Sequence, residues 1–579
     1  MKRRIFLPFV ITLLILSMIL SACAPAATKA PAAATEAPAV PTEAPAVPTE
    51  APAVPTKAAE LQPWTAKYNL SAPDCAYGGE LKSIEAVDQY TVKFTLCNSD
   101  PAFLSKVAFP AFGIQSADYL VKTGGTGDLL STPLGSGPYM LKEWVRGDHI
   151  TLVPNPNYWG PAPMNKELII RWNKEAAARL LEIQAGTADA IDTPSPDDFE
   201  KIMADPTLNL MPRKGLNIFY LGMNTAMKPF DNELVRQAVA MAIDKKRIVD
   251  NYYPNGSLPA EQFVPPSMLP GYVEGYKWYD YDPEGAKKLL AEAGFPDGFE
   301  TTLGYRDVVR VYLPLPGKVA QEIQSQLAQV GIKVTIAPME SGAYLASVAA
   351  GEQYLFMNGW GADYPDPSNF YDFHFTGASK SFGDPFPDVV DAIRAAAYNS
   401  DTAQRTQLYG KVAELIKLHA PMVPIAHGTN AIVYKASVLN PEASPLQDEQ
   451  FQYMSVPGQD QFVQIQAGEP ISMYCSDETD GETFRACFQI FDFLYWYKPG
   501  TTELVPSAAE SYTVNDDLTE WTFKLRQNNK FSDGTPMDSN DVVQTFVVQW
   551  DATNPLHVGN TGVFEYFGGY FSKMLNAPE

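Results

Sequence analysis

Val319-Ala320-Gln321-Glu322-Ile323-Gln324-Ser325-Gln326-Leu327-Ala328-Gln329-Val330-Gly331-Ile332-Lys333-Val334-Thr335-Ile336-Ala337 carries a whole folding unit in one passage. Val319, Ile323, Leu327 and Val330 recur at helical spacing, Gly331 ends the helix, and Lys333–Ala337 then reads as a strand. The same order recurs on either side. Glu175–Ala185 reads as a helix stopped by Gly186 and followed by a strand at Ala188–Asp192. Leu408, Val412 and Leu415 mark a helix closed before Pro421, and Met422–Ala426 reads as a buried strand. Helices alternating with strands predict an α/β protein. A chain of 579 residues is too long for one small core and implies two or more lobes.

The sharpest local signal lies just beyond. An apolar run, Tyr354–Met357, leads into Asn358-Gly359-Trp360-Gly361-Ala362-Asp363-Tyr364-Pro365-Asp366-Pro367. Ligands of α/β sheets commonly bind at strand ends. Asp363 is the candidate, with Asn358, Trp360 and Tyr364 beside it. The plainer alternatives are a turn cap for Asp363 ahead of Pro365 and lobe core for Trp360.

The start of the chain speaks to compartment. Lys2-Arg3-Arg4, an apolar run from Ile5 to Leu20 and then Ser21-Ala22-Cys23 describe an export signal over residues 1–22. The run is short for a bilayer span. Residues 23–65 read as a tether. Glu-Ala-Pro-Ala-Val-Pro-Thr occurs at 36–42, 43–49 and 50–56, and proline in every repeat forbids a coiled coil. Such a segment extends at about 3.1 Å per residue. A net charge of −24 argues against nucleic acid as a partner.

Beyond Cys23 come Cys75, Cys97, Cys475 and Cys487. Four cysteines allow three pairings, and an extracytoplasmic setting favours disulfides. Neighbour pairing, Cys75 with Cys97 and Cys475 with Cys487, is expected, because one pair brackets a hairpin (Leu81–Val87, Tyr90–Leu96) and the other a single acidic loop. No C-x-x-C spacing supports a metal, and His149, His374, His419, His427 and His557 are scattered, so neither a metal site nor a cofactor is expected. No Gly-x-Ser-x-Gly, His-Glu-x-x-His or Cys/His nucleophile pairing points to an enzyme. A secreted hydrolase is the competing class, since carboxylate counting alone does not exclude glycosidase chemistry.

Further markers are spread over the chain. They include Pro133-Leu134-Gly135-Ser136-Gly137-Pro138-Tyr139, Asn155-Pro156-Asn157-Tyr158-Trp159-Gly160, Pro229-Phe230-Asp231-Asn232 and Tyr281-Asp282-Pro283-Glu284. With the segment around Asp363 they resemble the later three quarters of the extracytoplasmic substrate-binding proteins of peptide, dipeptide and nickel ABC transporters, bacterial solute-binding family 5. Near the C-terminus, Ala508-Ala509-Glu510-Ser511-Tyr512, Trp521–Arg526, Phe531–Pro536 and Asp541-Val542-Val543 resemble the opening quarter of the same family. The two pieces sum to about one copy in swapped order, so the chain is expected to be a circular permutant.

The resemblance implies a two-lobed fold of the type II periplasmic-binding-protein kind with an extra small subdomain. Residues 66–140 with 491–579 would form the small subdomain, 141–225 with 430–490 the first lobe, and 226–429 the second. A join near Ser444–Asp460 would close cheaply. The resemblance makes Cys23 the lipidated residue of a membrane-anchored, extracytoplasmic monomer that passes its ligand to permease subunits. It makes Asp363 the partner of a peptide's α-amino group. It places Thr479, Gly481 and Thr483, in the loop Asp477–Phe484, among first-lobe contacts to ligand, and that loop's acidity suits a cationic ligand. Relatives carry an arginine for the peptide carboxylate after the strand that here runs Val334–Ala337, where this chain has Glu340-Ser341-Gly342-Ala343-Tyr344. Capture of an oligopeptide is the expected function, with an oligosaccharide stacked on aromatics as the alternative. Scattered histidines argue against nickel.

Overall fold

The structure, a computed structural model, describes residues 63–377 and 379–578. Cys23, the export signal and most of the tether lie outside the described residues. Residues from Pro63 onward form one compact unit.

Three sheets organise it. The largest runs, edge to edge, Tyr139–Val145, His149–Pro154, Glu167–Trp172, Gln461–Gln466, Ala190–Asp192, Asn430–Lys435, Leu208–Arg213. The second runs Leu258–Pro259, Met422–His427, Asn217–Met223, Leu355–Gly361, Glu300–Arg306, Lys333–Met339. The third runs Leu70–Ser71, Leu81–Asp88, Thr91–Leu96, Glu520–Leu525, Ala509–Val514. Asn217–Met223 was placed at the end of the first lobe, yet it is a central strand of the second lobe's sheet, buried at every position. The chain changes lobe at Lys214–Leu216, before residue 225.

Helices cover the second lobe's sheet. Pro316–Ala328 buries Val319, Ile323 and Leu327, and Thr402–His419 buries Tyr409, Val412 and Ile416. Both are amphipathic faces of the kind the spacing predicts. Asp401 caps the second of them by accepting from the N–H groups of Ala403 and Gln404.

Two chain crossings link the lobes, Arg213–Asn217 and His427–Asn430, and they are pinned together. The Asn217 side chain donates to Gly428 O and accepts from Gly428 N–H, each at 2.8 Å. A Cβ on Gly215 would lie 2.2 Å from Gly428 O, so the crossing requires glycine there. Beside it, Arg213 is buried between Asp192 and Glu449, 2.6 Å from each.

The late piece of the chain is woven into the early one. Glu520–Leu525 pairs antiparallel with Thr91–Leu96, Trp521 opposite Phe94 and Phe523 opposite Val92. Gln461–Gln466 sits between Glu167–Trp172 and Ala190–Asp192, parallel to both. The stretch expected as a joining loop, 444–460, is largely internal: Glu449, Phe451 and Gln452 are buried. The reversal itself is short, with Gln459 N–H donating to Val456 O at 3.1 Å. Cys75 is bonded to Cys97 and Cys475 to Cys487. No described helix is long and apolar enough to cross a membrane.

Candidate ligand-binding site

The strand that leads to Asp363 is longer than its apolar run. It spans Leu355–Gly361, so Asn358 and Trp360 are strand residues rather than loop residues. Asn358 lies opposite Tyr220 of the neighbouring strand. Asp363 follows two residues beyond the strand, and Asn369 fixes it. The Asn369 amide oxygen accepts from Asp363 N–H and from Trp360 Nε1, each at 3.0 Å, and its Nδ2 donates to Asp363 Oδ2 at 3.0 Å. One amide thus orients both the carboxylate and the indole. Trp360 stacks on Phe373 at 5.1 Å, with both rings half-exposed.

The other oxygen of Asp363 faces the opposite wall. Tyr566, on the helix Glu565–Phe571, brings its hydroxyl to 3.4 Å from Oδ1. Burial pushes the Asp363 carboxyl up to about 7, against the hydrogen bonds from Asn369 and Tyr566, which hold it down. Among the described residues no lysine, arginine or histidine forms an ion pair with it. Tyr364 is buried, its hydroxyl 3.2 Å from Ser368 Oγ and its ring edge-on to Tyr570 at 4.9 Å. It is packed between the lobes rather than open to a ligand. Asp366 is a structural group, held by Arg405 at 2.8 and 2.9 Å.

The acidic loop does something other than expected. Asp477 accepts from Thr561 N–H at 2.5 Å and from Thr561 Oγ1, Gly562 N–H and Phe564 N–H at 2.8 Å each. It clamps the loop that leads into the Tyr566 helix. Thr483 is fully buried, with its hydroxyl accepting from Ile471 N–H, in the first turn of a helix capped by Asp480. It supports the fold from inside. Thr479 and Gly481 are exposed at the tip of that loop.

The segment Glu340–Tyr344 carries no base. Glu340 caps the helix Ser341–Ala349 by accepting from Ala343 N–H at 3.0 Å. The bases come from the adjacent strand, Glu300–Arg306, which runs parallel to Leu355–Gly361. Arg306 is spent on Tyr312 and Ser341. Arg310 sits at the tip of the turn that follows, where its N–H donates to Leu313 O at 3.2 Å. Tyr312 of the same turn packs where a side chain on Gly359 would project, which lays the turn over the strand leading to Asp363. The Arg310 guanidinium has no ion pair among the described residues. Sequence signals existed for it: a basic residue just past a strand's C-terminal end.

A separate surface hollow in the small subdomain is bordered by Lys67, Tyr119, Asp533 and Asp541. The Asp541 carboxylate there is taken up by the N–H groups of Ala117 and Asp538, and the hollow lies in the small subdomain, outside the lobe that carries Asp363.

Two lobes joined by a pinned double crossing, with a carboxylate just past a strand end of one of them, are the architecture of a solute-binding protein. Residues 50–382 and 503–562 match the family model described as "Bacterial extracellular solute-binding proteins, family 5 Middle", and the chain belongs to that family. It is 34% identical over 387 residues to the heme-binding protein A of Haemophilus influenzae, covering 65% of this chain and 70% of that protein. It is 33% identical over 392 residues to the di/tripeptide-binding protein 1 of Pseudomonas aeruginosa, covering 66% of this chain and 73% of that one. Among solved structures, the dipeptide-binding protein of a Pseudoalteromonas species in complex with Met-Leu is similar, with a TM-score of 0.60 and 27% identity over 66% of this chain and 76% of that chain.

Proposed function

We propose that this protein is the lipid-anchored, peptide-capturing component of an ABC importer, circularly permuted, which closes on its ligand between the lobes and hands it to a permease. One observation carries the peptide reading. Among the described residues, Asp363, a carboxylate at a strand end, has no cation, and Arg310, on the turn laid over that strand, has no anion. A short peptide supplies both missing charges, its ammonium to Asp363 and its carboxylate to Arg310. Charge-assisted contacts of this kind are worth about 1.5–3 kcal/mol each. Relatives named for dipeptides and tripeptides support the reading. Cys23 would hold the receptor to the membrane and residues 24–62 would let it range above it.

The permutation is supported by the strand pairing of 520–525 with 91–96 and by a family match that falls in two stretches. Limited proteolysis tests it: cleavage ahead of residue 63 should leave the rest intact, and release of a stable 459–579 fragment would refute it.

Mass spectrometry of small molecules released from freshly purified, denatured protein tests the ligand class. Peptides are the expected result. Recovery of oligosaccharides alone, with Trp360→Ala severe and Asp363→Asn mild, would overturn the peptide reading.

A further inference from the structure

We propose that Tyr566 and Tyr570 complete the amine site, forming with Asp363 a three-oxygen cage that selects a primary, unsubstituted ammonium. This rests on the peptide reading and specifies what the site demands of the peptide.

The argument begins with what is already taken. Asp363 Oδ2 accepts from Asn369, which leaves Oδ1 for a ligand. Tyr566 reaches Oδ1 at 3.4 Å, a long contact with room to tighten. A phenol that donates its proton to a carboxylate keeps lone pairs to accept with. Tyr570 lies one helical turn further along, on the same face. It is 5% exposed, and its hydroxyl has no hydrogen-bond partner among the described residues. A buried phenol without a partner is costly, which marks this hydroxyl as waiting for one. A primary ammonium has three N–H donors, and Oδ1 and the two phenol oxygens offer three acceptors.

The helix that carries the phenols is fixed in advance. Asp477 clamps the loop before it through its four acceptor contacts. At its other end, Tyr570 O accepts from Lys106 Nζ at 2.9 Å, and Lys106 is itself held by Asp100 at 2.8 Å and Glu80 at 3.1 Å. The Tyr570 ring is packed against Phe109 at 5.3 Å and Tyr566 at 5.6 Å. Neither phenol is free to swing away from a ligand that fails to satisfy it. An N-methyl peptide keeps its charge but loses one N–H and brings a methyl group against a packed ring. A site built to hydrogen-bond a group rejects the analogue that lacks it, because its own buried polar atom is then left unpaired.

Calorimetry with Met-Leu, N-methyl-Met-Leu and N-acetyl-Met-Leu tests this on the full chain, its Tyr566→Phe and Tyr570→Phe variants and the double variant. The parent should bind Met-Leu at least about tenfold tighter than N-methyl-Met-Leu. Each phenylalanine should weaken Met-Leu about three- to tenfold and N-methyl-Met-Leu far less. In the double variant the ratio should fall toward one. Melting temperatures within a few degrees of the parent's would show that the variants fold. A ratio preserved in the double variant overturns the cage while leaving the peptide reading intact, provided Asp363→Asn still weakens Met-Leu. A parent that binds neither Met-Leu nor any member of a dipeptide and tripeptide set overturns the peptide reading, and the cage with it.

Discussion

Asp363 is set for its task by two opposing influences. Burial favours its neutral form, while donors from Asn369 and Tyr566 favour the charged one, leaving its carboxyl near 7. An ammonium in the same space would tip it fully to the charged form. Asp363→Asn keeps the shape and removes the charge. Calorimetry should show peptide binding weaker by about ten- to a hundredfold, with little change in the melting temperature of the empty protein. Arg310→Ala should cost about tenfold for a free dipeptide and almost nothing for the same peptide as its C-terminal amide, which lacks the carboxylate. Asp363 stands out in the sequence as a carboxylate just past an apolar run, in a segment that resembles the family's. Tyr566 and Tyr570 do not, since they arrive from a helix about two hundred residues away and carry no local pattern. Thr483 was misjudged for a related reason. Asp480 and Thr483 read as polar loop residues, but at a spacing of three they are a helix cap and its first turn.

At the scale of elements, stability is concentrated where loops lock to one another. Asp477 has four donors aimed at it, and removing it leaves the buried Phe564 N–H unpaired. Asp477→Ala should lower unfolding free energy by about 2–4 kcal/mol in urea titrations and make residues 555–564 the first site of protease cleavage. The crossing between lobes makes a second lock. Gly215→Ala drives a methyl group into Gly428 O, and the two strands must part to admit it, at a cost of about 1–3 kcal/mol read from the same titration. The alternation of helix and strand was readable because period and punctuation are local properties. The sequence ends the apparent strand at Met357 because Asn358, Gly359 and Gly361 are poor strand formers. Pairing with Asn217–Met223 extends it regardless. The Asp477 clamp was invisible for the opposite reason: its partners are backbone groups, which no sequence pattern records.

For the whole molecule, acid groups are gathered where the lobes meet. Asp372, on the helix after Asp363, is also raised well above its usual range by burial, and it faces Lys106, Glu80, Asp366 and Asp100. The Asp363 carboxyl, which holds its proton near pH 7 when buried, would release it near pH 4 if solvated, and burial raises Asp372 in the same direction. The closed, empty form therefore binds more protons between those limits, and it is favoured as pH falls through 7 and disfavoured as pH rises above it. Small-angle scattering of ligand-free protein should show a smaller radius of gyration at pH 5.5 than at pH 8. The double variant Asp363→Asn with Asp372→Asn should flatten that difference.

The pairing of Thr91–Leu96 with Glu520–Leu525 also dictates a timetable. A ribosome makes the first of these strands more than four hundred residues before the second, and a secretion channel delivers them in the same order. Until the last part of the chain emerges, the small sheet lacks two of its five strands and presents Thr91–Leu96 as a bare edge, ready to pair with the wrong neighbour. Contacts between residues so distant in sequence also form slowly. A nascent copy of this receptor is consequently exposed to misassembly for nearly its entire synthesis, and its yield in a cell depends on whatever shields that edge in the interval.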